Sequence, residues 1–293
     1  MIKAVTQADQ TPTSLKPELE WSPWVSFDGG DFCLIPRGAG LYRVRVAGQA
    51  VLAYVGQTGR DLRQRLIDLR RNTLAAVMPF NDPHTAAPSL WAWRDAEGYK
   101  FECSAAAFAG DTRIRLALEC SLLWQHRLEH GVSTLCNYGR FHGGFAKSGN
   151  RSSGRRGGRV PAGEVNPAGG PCTVVLRRHG SAQDTDWMGL SWSPWADLRA
   201  WRDVDGAGLY RIAERGRGLL YIGESAALAA RLRSHARKDW RAVAPMVSVA
   251  SVAGVPAKYR LHELECDLIA GHFDELGTAP AFQFLGGRGT DGT

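Results

Sequence analysis

The chain has 293 residues, 44% apolar and 22% charged, which is enough apolar surface for a buried core and excludes a disordered or fibrous class. Its length favours two domains, and no run approaches the roughly 18 uninterrupted apolar residues of a membrane helix, so a spanning helix and a membrane partner are excluded. The net charge of +7 is uneven: residues 1–142 hold 16 Lys+Arg against 14 Asp+Glu, residues 171–293 hold 15 against 14, and residues 143–170 hold 5 against 1.

The first ten residues have no apolar stretch after Lys3 and carry Asp9, unlike a secretory leader, so the expected location is the cytoplasm. Six cysteines without a Cys-x-x-Cys pair give neither a disulfide framework nor a zinc spacing, and are expected as small buried hydrophobes.

Trp21-Ser22-Pro23-Trp24 opens the first unit, and its recurrence before a second sheet favours a bracing role over base stacking. Strands are predicted over 41–46 and 51–55 around the turn Ala47-Gly48-Gln49. A turn centred on Gly48 sets Tyr42 directly opposite Tyr54, so two phenols project from one face. A helix is predicted over 60–71, with Leu62, Leu66 and Leu69 as its buried stripe and Arg65 just before a core leucine. After an insertion near 78–99, a further helix carries Glu119 on an apolar stripe with Leu116, Leu122 and Leu123, and with Arg115 as the basic neighbour on that stripe. A glutamate is almost never fully buried without a partner or a metal.

Residues 143–170, including Arg151, Arg155, Arg156 and Arg159, read as a flexible Gly/Arg/Ser-rich linker too polar for a packed element, with a reach on the order of 30 Å. Its charge fits a polyanion, and those four arginines are the expected nucleic-acid contacts; a plain solvated linker is the competing reading.

The first unit then recurs in order. Trp192-Ser193-Pro194-Trp195 repeats the opening motif, Gly206-Ala207-Gly208-Leu209-Tyr210-Arg211 repeats Gly38-Ala39-Gly40-Leu41-Tyr42-Arg43, and Tyr221-Ile222-Gly223 repeats Tyr54-Val55-Gly56. Strands over 209–213 and 219–222 set Tyr210 opposite Tyr221, and a helix over 226–237 carries Arg231 with His235 at i+4, where the first copy has Leu69. Glu265 lies on an apolar stripe with Leu261, Leu268 and Ile269, whereas Glu263, beside Tyr259, Arg260 and Asp267, reads as a surface acid. The distances from Glu119 to Asn137 and from Glu265 to Gln283 are both 18 residues, so duplication is the simplest explanation. The expected division is a domain over 1–142, the linker over 143–170 and a domain over 171–293.

These residues resemble the GIY-YIG nucleases. Gly40-Leu41-Tyr42 with Tyr54-Val55-Gly56, and Gly208-Leu209-Tyr210 with Tyr221-Ile222-Gly223, match the two name-giving tripeptides, and an arginine, a glutamate and an amide residue follow in the family's order. The resemblance covers about 38–140 and 206–285, and departs from the family pattern at Leu69, at Gln283 in place of asparagine, and at Glu224, an acid near the expected phosphate. It implies an α/β (α+β) fold of two tandem domains, each a three-stranded antiparallel sheet flanked by helices, with metal-dependent endonuclease activity on double-stranded DNA. The catalytic residues it implies are Tyr42, Tyr54, Arg65, Glu119 and Asn137 in one copy and Tyr210, Tyr221, Arg231, His235 and Glu265 in the other. Glu119 and Glu265 would each hold a divalent cation, Mg2+ or in its stead Mn2+.

The residue types agree with that chemistry. A carboxylate suits a hard, oxygen-preferring cation, an arginine gives a fixed donor to phosphate, and a tyrosine beside a cation is expected to have its pKa lowered and to take a proton from water. The expectation is a restriction or defence enzyme whose two sites each cut one strand within a monomer. Rival readings are a nuclease with one live site and a degenerate DNA-binding copy, a structure-specific repair nuclease, and a non-catalytic nucleic-acid-binding protein.

Overall fold

The computed structural model describes residues 17–82, 84–201, 205–253 and 256–285. The N-terminal stretch read for a leader lies outside the described residues. Among the described residues the fold is mixed α/β with antiparallel sheets and five α-helices.

The first copy runs β1 (Val25–Ser26), β2 (Gly40–Val46), β3 (Leu52–Thr58), α1 (Leu62–Thr73), α2 (Ala87–Glu97), β4 (Phe101–Ala107) and α3 (Thr112–His130). The second runs β7 (Ala196–Asp197), β8 (Gly208–Glu214), β9 (Gly218–Ser225), α4 (Leu228–Ala236), β10 (Pro245–Ser251) and α5 (Lys258–Leu276). Their sheets have matching strand orders, β1-β4-β2-β3 and β7-β10-β8-β9, and α2 in the insertion has no counterpart. Each sheet has four strands, not the expected three, because the residues after each Trp-Ser-Pro-Trp motif add a two-residue edge strand.

The hairpins differ from the expected register. Tyr42 faces Gly56 and Val44 faces Tyr54, while in the second copy Tyr210 faces Gly223 and Ile212 faces Tyr221. The pairing is two residues away from that expectation: a bulge between Val44 and Arg45, and another between Ile212 and Ala213, supplies one residue of the shift, and the position of the turn supplies the other. Because side chains alternate with period two, a shift of two keeps both tyrosines of each pair on one face.

That alternation sets the layers. Tyr42, Val44 and Tyr54 pack outward on Leu62, Leu66 and Leu69 of α1, and Tyr210 and Ile212 pack outward on Leu228 and Leu232 of α4. On the other face, Val55 and Ile222 meet Cys120, Trp124, Cys266 and Leu268, so α3 and α5 form a shared central layer. Asp61 caps α1 by accepting from the Gln64 N–H, and Asp111 caps α3 by accepting from the Arg113 N–H.

The helix α5 corrects the reading of Glu263 as a surface acid. Glu263 and Asp267 are both fully buried, because this face of α5 packs on α3 and on the chain around 170–176. Glu263 accepts from Arg140 Nε at 2.5 Å and from Thr173 Oγ1 at 2.7 Å, and Asp267 accepts from Arg127 Nη1 at 2.9 Å and the Leu176 N–H at 3.2 Å. Burial opposes the Glu263 charge, but the bonds from Arg140 and Thr173 with the charge of Arg127 prevail and hold its pKa below the ordinary value.

The basic segment is also corrected, since it is packed and not a free linker. It forms a two-stranded ladder, β5 (Phe145–Ala146) with β6 (Gly158–Arg159), and Phe145 is buried against Trp91 of the insertion. Arg156 donates to the Met78 carbonyl and lies 4.2 Å from the Phe80 ring, the Arg151 N–H is bonded to Asp82, and Arg159 pairs with Asp95 at 2.8 Å. The tryptophans are braces: Trp21 and Trp24 bracket the Arg43 guanidinium at 4.3 and 4.7 Å, and Trp192 and Trp195 bracket Arg211 at 4.4 and 4.6 Å. Four of the six cysteines are buried, whereas Cys33 is exposed and Cys172 half-buried. Among the described residues, no helix is long and apolar enough to cross a membrane.

Candidate active site

In the second copy the two tyrosine rings lie 6.1 Å apart over Gly223. A Cβ on Gly223 would meet Tyr210 Cζ at 2.4 Å and Tyr221 Cε1 at 2.8 Å, and on Gly56 it would meet the Tyr42 and Tyr54 rings at 2.6 Å. The last residue of each tripeptide must therefore be glycine for the rings to lie where they do.

His235, on α4, has Nε2 2.8 Å from Tyr210 Oη, with its ring 5.4 Å from that of Tyr221. Burial and the positive charges of Arg231 and Lys238 push the imidazole down to about 4, so it is a neutral base at neutral pH. The tyrosines behave opposite to the sequence expectation. Burial, with the nearby Tyr221 and Glu265, drives Tyr210 far above its ordinary value, and burial with Glu265 pushes Tyr221 up to about 12, against the lowering effect of Arg231. Desolvation of two adjacent phenols outweighs one exposed arginine, so both stay protonated.

Glu265, on α5, is half-buried, and its influence on both tyrosines puts it beside them with Arg231 and Glu224. The imidazole of His262 lies between two carboxylates, with Nε2 3.7 Å from Glu224 Oε1 and Nδ1 3.7 Å from Glu265 Oε2. One ligand atom from each of Glu224, His262 and Glu265 falls within 4.8 Å of the other two. The structure thus brings together Tyr210, Tyr221, Arg231, His235 and Glu265. It adds Glu224, His262 and the buried Trp240, which packs on Tyr221 and His235 and donates to the His235 carbonyl. Nothing in local spacing joins Glu224 of β9 to His262 of α5, and only the fold does.

The first copy places its equivalents alike, with differences. The Tyr42 and Tyr54 rings are 6.0 Å apart, Arg65 sits on α1 and Glu119 is half-buried on α3. His84, from the insertion, is buried with Nε2 3.0 Å from the Arg65 carbonyl, and burial with the Arg65 charge pushes it down to about 3. Arg115 donates from Nε to Gln57 Oε1 at 2.8 Å and from Nη2 to Thr112 Oγ1 at 3.2 Å.

Asn137 acts on the backbone. Its side chain accepts from the Val55 N–H at 2.9 Å and donates to the Val55 carbonyl at 2.7 Å, clamping β3 next to Tyr54. Gln283 does the equivalent at Ile222, accepting its N–H at 3.1 Å, so the longer amide performs the same anchoring.

The four arginines 151, 155, 156 and 159 make their contacts with the insertion and with their own hairpin. Arg155, Arg156, Arg159 and Lys147, which sequence reasoning did not single out, line a cleft of about 490 Å³. Comparison of the chain with known protein families, curated proteins and solved structures finds no match.

Proposed function

We propose that the chain is a metal-dependent DNA endonuclease that hydrolyses phosphodiester bonds at the second copy's cluster. The observation that carries this reading is the convergence of a neutral histidine, two protonated phenols, an exposed arginine and a half-buried glutamate in one cluster. The donor set suits a divalent cation in kind, two carboxylates and an imidazole, with one ligand atom from each within 4.8 Å of the other two, and Glu224, Glu265 and one nitrogen of His262 would hold it. When bound, the cation would stabilise charge on the phosphate and on the leaving oxygen.

The chain's own groups supply the rest. Arg231 binds phosphate oxygens at the rim, as a fixed cation that cannot lose its charge. His235 takes the proton of the attacking water, a task suited to an imidazole that is neutral above about pH 4. Tyr210, sharing a hydrogen bond with His235, orients that ring and relays the proton, while Gln283 fixes the strand that carries Tyr221.

The test is incubation of the full chain with magnesium and a panel of plain and modified plasmids, with the cut ends sequenced. Glu265→Gln is expected to abolish cleavage while leaving DNA binding within a few-fold. Full activity in that variant, or in excess chelator, would refute the reading.

A further inference from the structure

The two copies place equivalent backbone around unlike charges. Gln57 and Glu224 each follow the second tripeptide, and Glu119 and Glu265 are the matching glutamates of α3 and α5. Counting back from those glutamates, Arg115 corresponds to Leu261, and Leu116 corresponds to His262. Leu261 is fully buried and brings no charge. Arg115 is buried too, but its guanidinium reaches Gln57 and lies over Gly59; burial lowers its pKa, and the charges of Asp111 and Glu119 oppose that lowering. A Cβ on Gly59 would stand 2.9 Å from Arg115 Nη2, so the bare backbone there makes room for the cation.

We propose that the copies have diverged in how they hold positive charge: the second takes one divalent cation between Glu224, His262 and Glu265, and the first carries its own in Arg115. The side chains at the matching places decide it. In the second copy two carboxylates and an imidazole converge, whereas beside Glu119 the first copy has a neutral amide, Gln57, and a guanidinium, Arg115, bonded to it. A dication is drawn to the former, and at the latter it meets a guanidinium already held in place. Mn2+, which shares the carboxylate preference of magnesium and accepts an imidazole nitrogen more readily, serves as the probe. The first copy then contacts DNA without its own metal, and the chain has one hydrolytic centre. The inference rests on the nuclease reading for the role of the cation, and not for its binding.

The experiment is Mn2+ binding to the full chain by equilibrium dialysis with electron paramagnetic resonance, with thermal unfolding as a check of folding. One Mn2+ per chain is expected. Glu224→Gln and His262→Gln should each weaken it at least about tenfold and reduce the Mn2+-induced rise in Tm, while Glu119→Gln leaves the affinity unchanged. Arg115→Met combined with Gln57→Glu should raise the count to two. Two equivalent Mn2+ in the unaltered chain, loss of the ion in Glu119→Gln, or no bound Mn2+, as when His262 serves as an imidazolium between the carboxylates, would each overturn the inference. Two bound ions with magnesium-dependent cleavage would leave the nuclease reading standing. One bound ion with no cleavage of any substrate would sink that reading and leave the inference.

Discussion

Gly56 and Gly223 are the residues on which the tyrosine pairs depend most directly. Because a methyl at either position falls within 2.8 Å of ring atoms, Gly56→Ala and Gly223→Ala are expected to cost about 1–3 kcal/mol and to displace the rings. Gly158→Ala, where nothing lies within 4 Å, should be neutral by the same denaturant titration. The buried histidines give a second expectation at this scale. Burial pushes His84 down to about 3, and His126, His235 and His272 down to about 4, whereas in the unfolded chain each takes a proton near 6.5. Unfolding therefore takes up histidine protons below pH 6.5, so the contribution of the neutral rings is complete above that pH and is lost as pH falls toward 4. His84→Gln, His126→Gln and His272→Gln should each make the unfolding midpoint shallower against pH in that window, and an unchanged slope would place the rings in contact with water.

At the scale of elements, the pair α3 and α5 holds the molecule together through charges as well as apolar contacts. Arg127→Met leaves Asp267 buried without its partner and takes away the charge that helps keep Glu263 ionised, and is expected to destabilise the fold by about 3–5 kcal/mol in urea unfolding. Arg127→Met with Asp267→Leu should recover part of that loss. What the sequence made legible at this scale followed from periodicity: the helix predicted over 60–71 is observed as Leu62–Thr73, and Leu62, Leu66 and Leu69 are its buried stripe. What stayed hidden arose from tertiary contact. The hairpin register moved because bulges obey sheet twist and not turn arithmetic, and Glu263 looked exposed because one helix has two packed faces, only one of which carries a clean apolar stripe. The cluster of the second site was only partly readable, since Glu265 announced itself by its apolar neighbours and Glu224 by following the second tripeptide, whereas His262 gave no signal.

For the molecule as a whole, the proposed nuclease activity gives the basic segment the task of holding DNA. Arg156 and Arg159 are committed to the insertion, while Lys147 and Arg155 line the cleft, where burial lowers the Lys147 pKa as expected of a cation with little water around it. Lys147→Ser with Arg155→Ser is expected to flatten the line of log affinity against log salt by about 2 units, at roughly 0.9 per lost phosphate contact, with an unchanged Tm. Arg156→Ser should instead lower the Tm by loosening the hairpin from Phe80. An unchanged salt slope in the first variant would make the hairpin a structural strut alone.

The crossing of α3 and α5 has a meaning for assembly. Cys120 and Cys266, each one residue past its copy's glutamate, meet there, with Cys266 Sγ 3.8 Å from the Cys120 carbonyl, so equivalent surfaces face each other as across the two-fold axis of a homodimer. Yet the ion pairs across this joint are not self-complementary: α5 brings Glu263 and Asp267, and the first copy brings Arg127 and Arg140. A second α5 in place of α3 would set acid against acid in a buried joint, at a cost of several kcal/mol. The charges at this joint thus make the two halves complementary to each other and not to themselves. Made as separate chains, the halves are expected to associate one to one while the half beginning near Pro171 remains monomeric alone, and sedimentation of that half as a stable dimer at pH 7.5 would show the charges to be indifferent to partner.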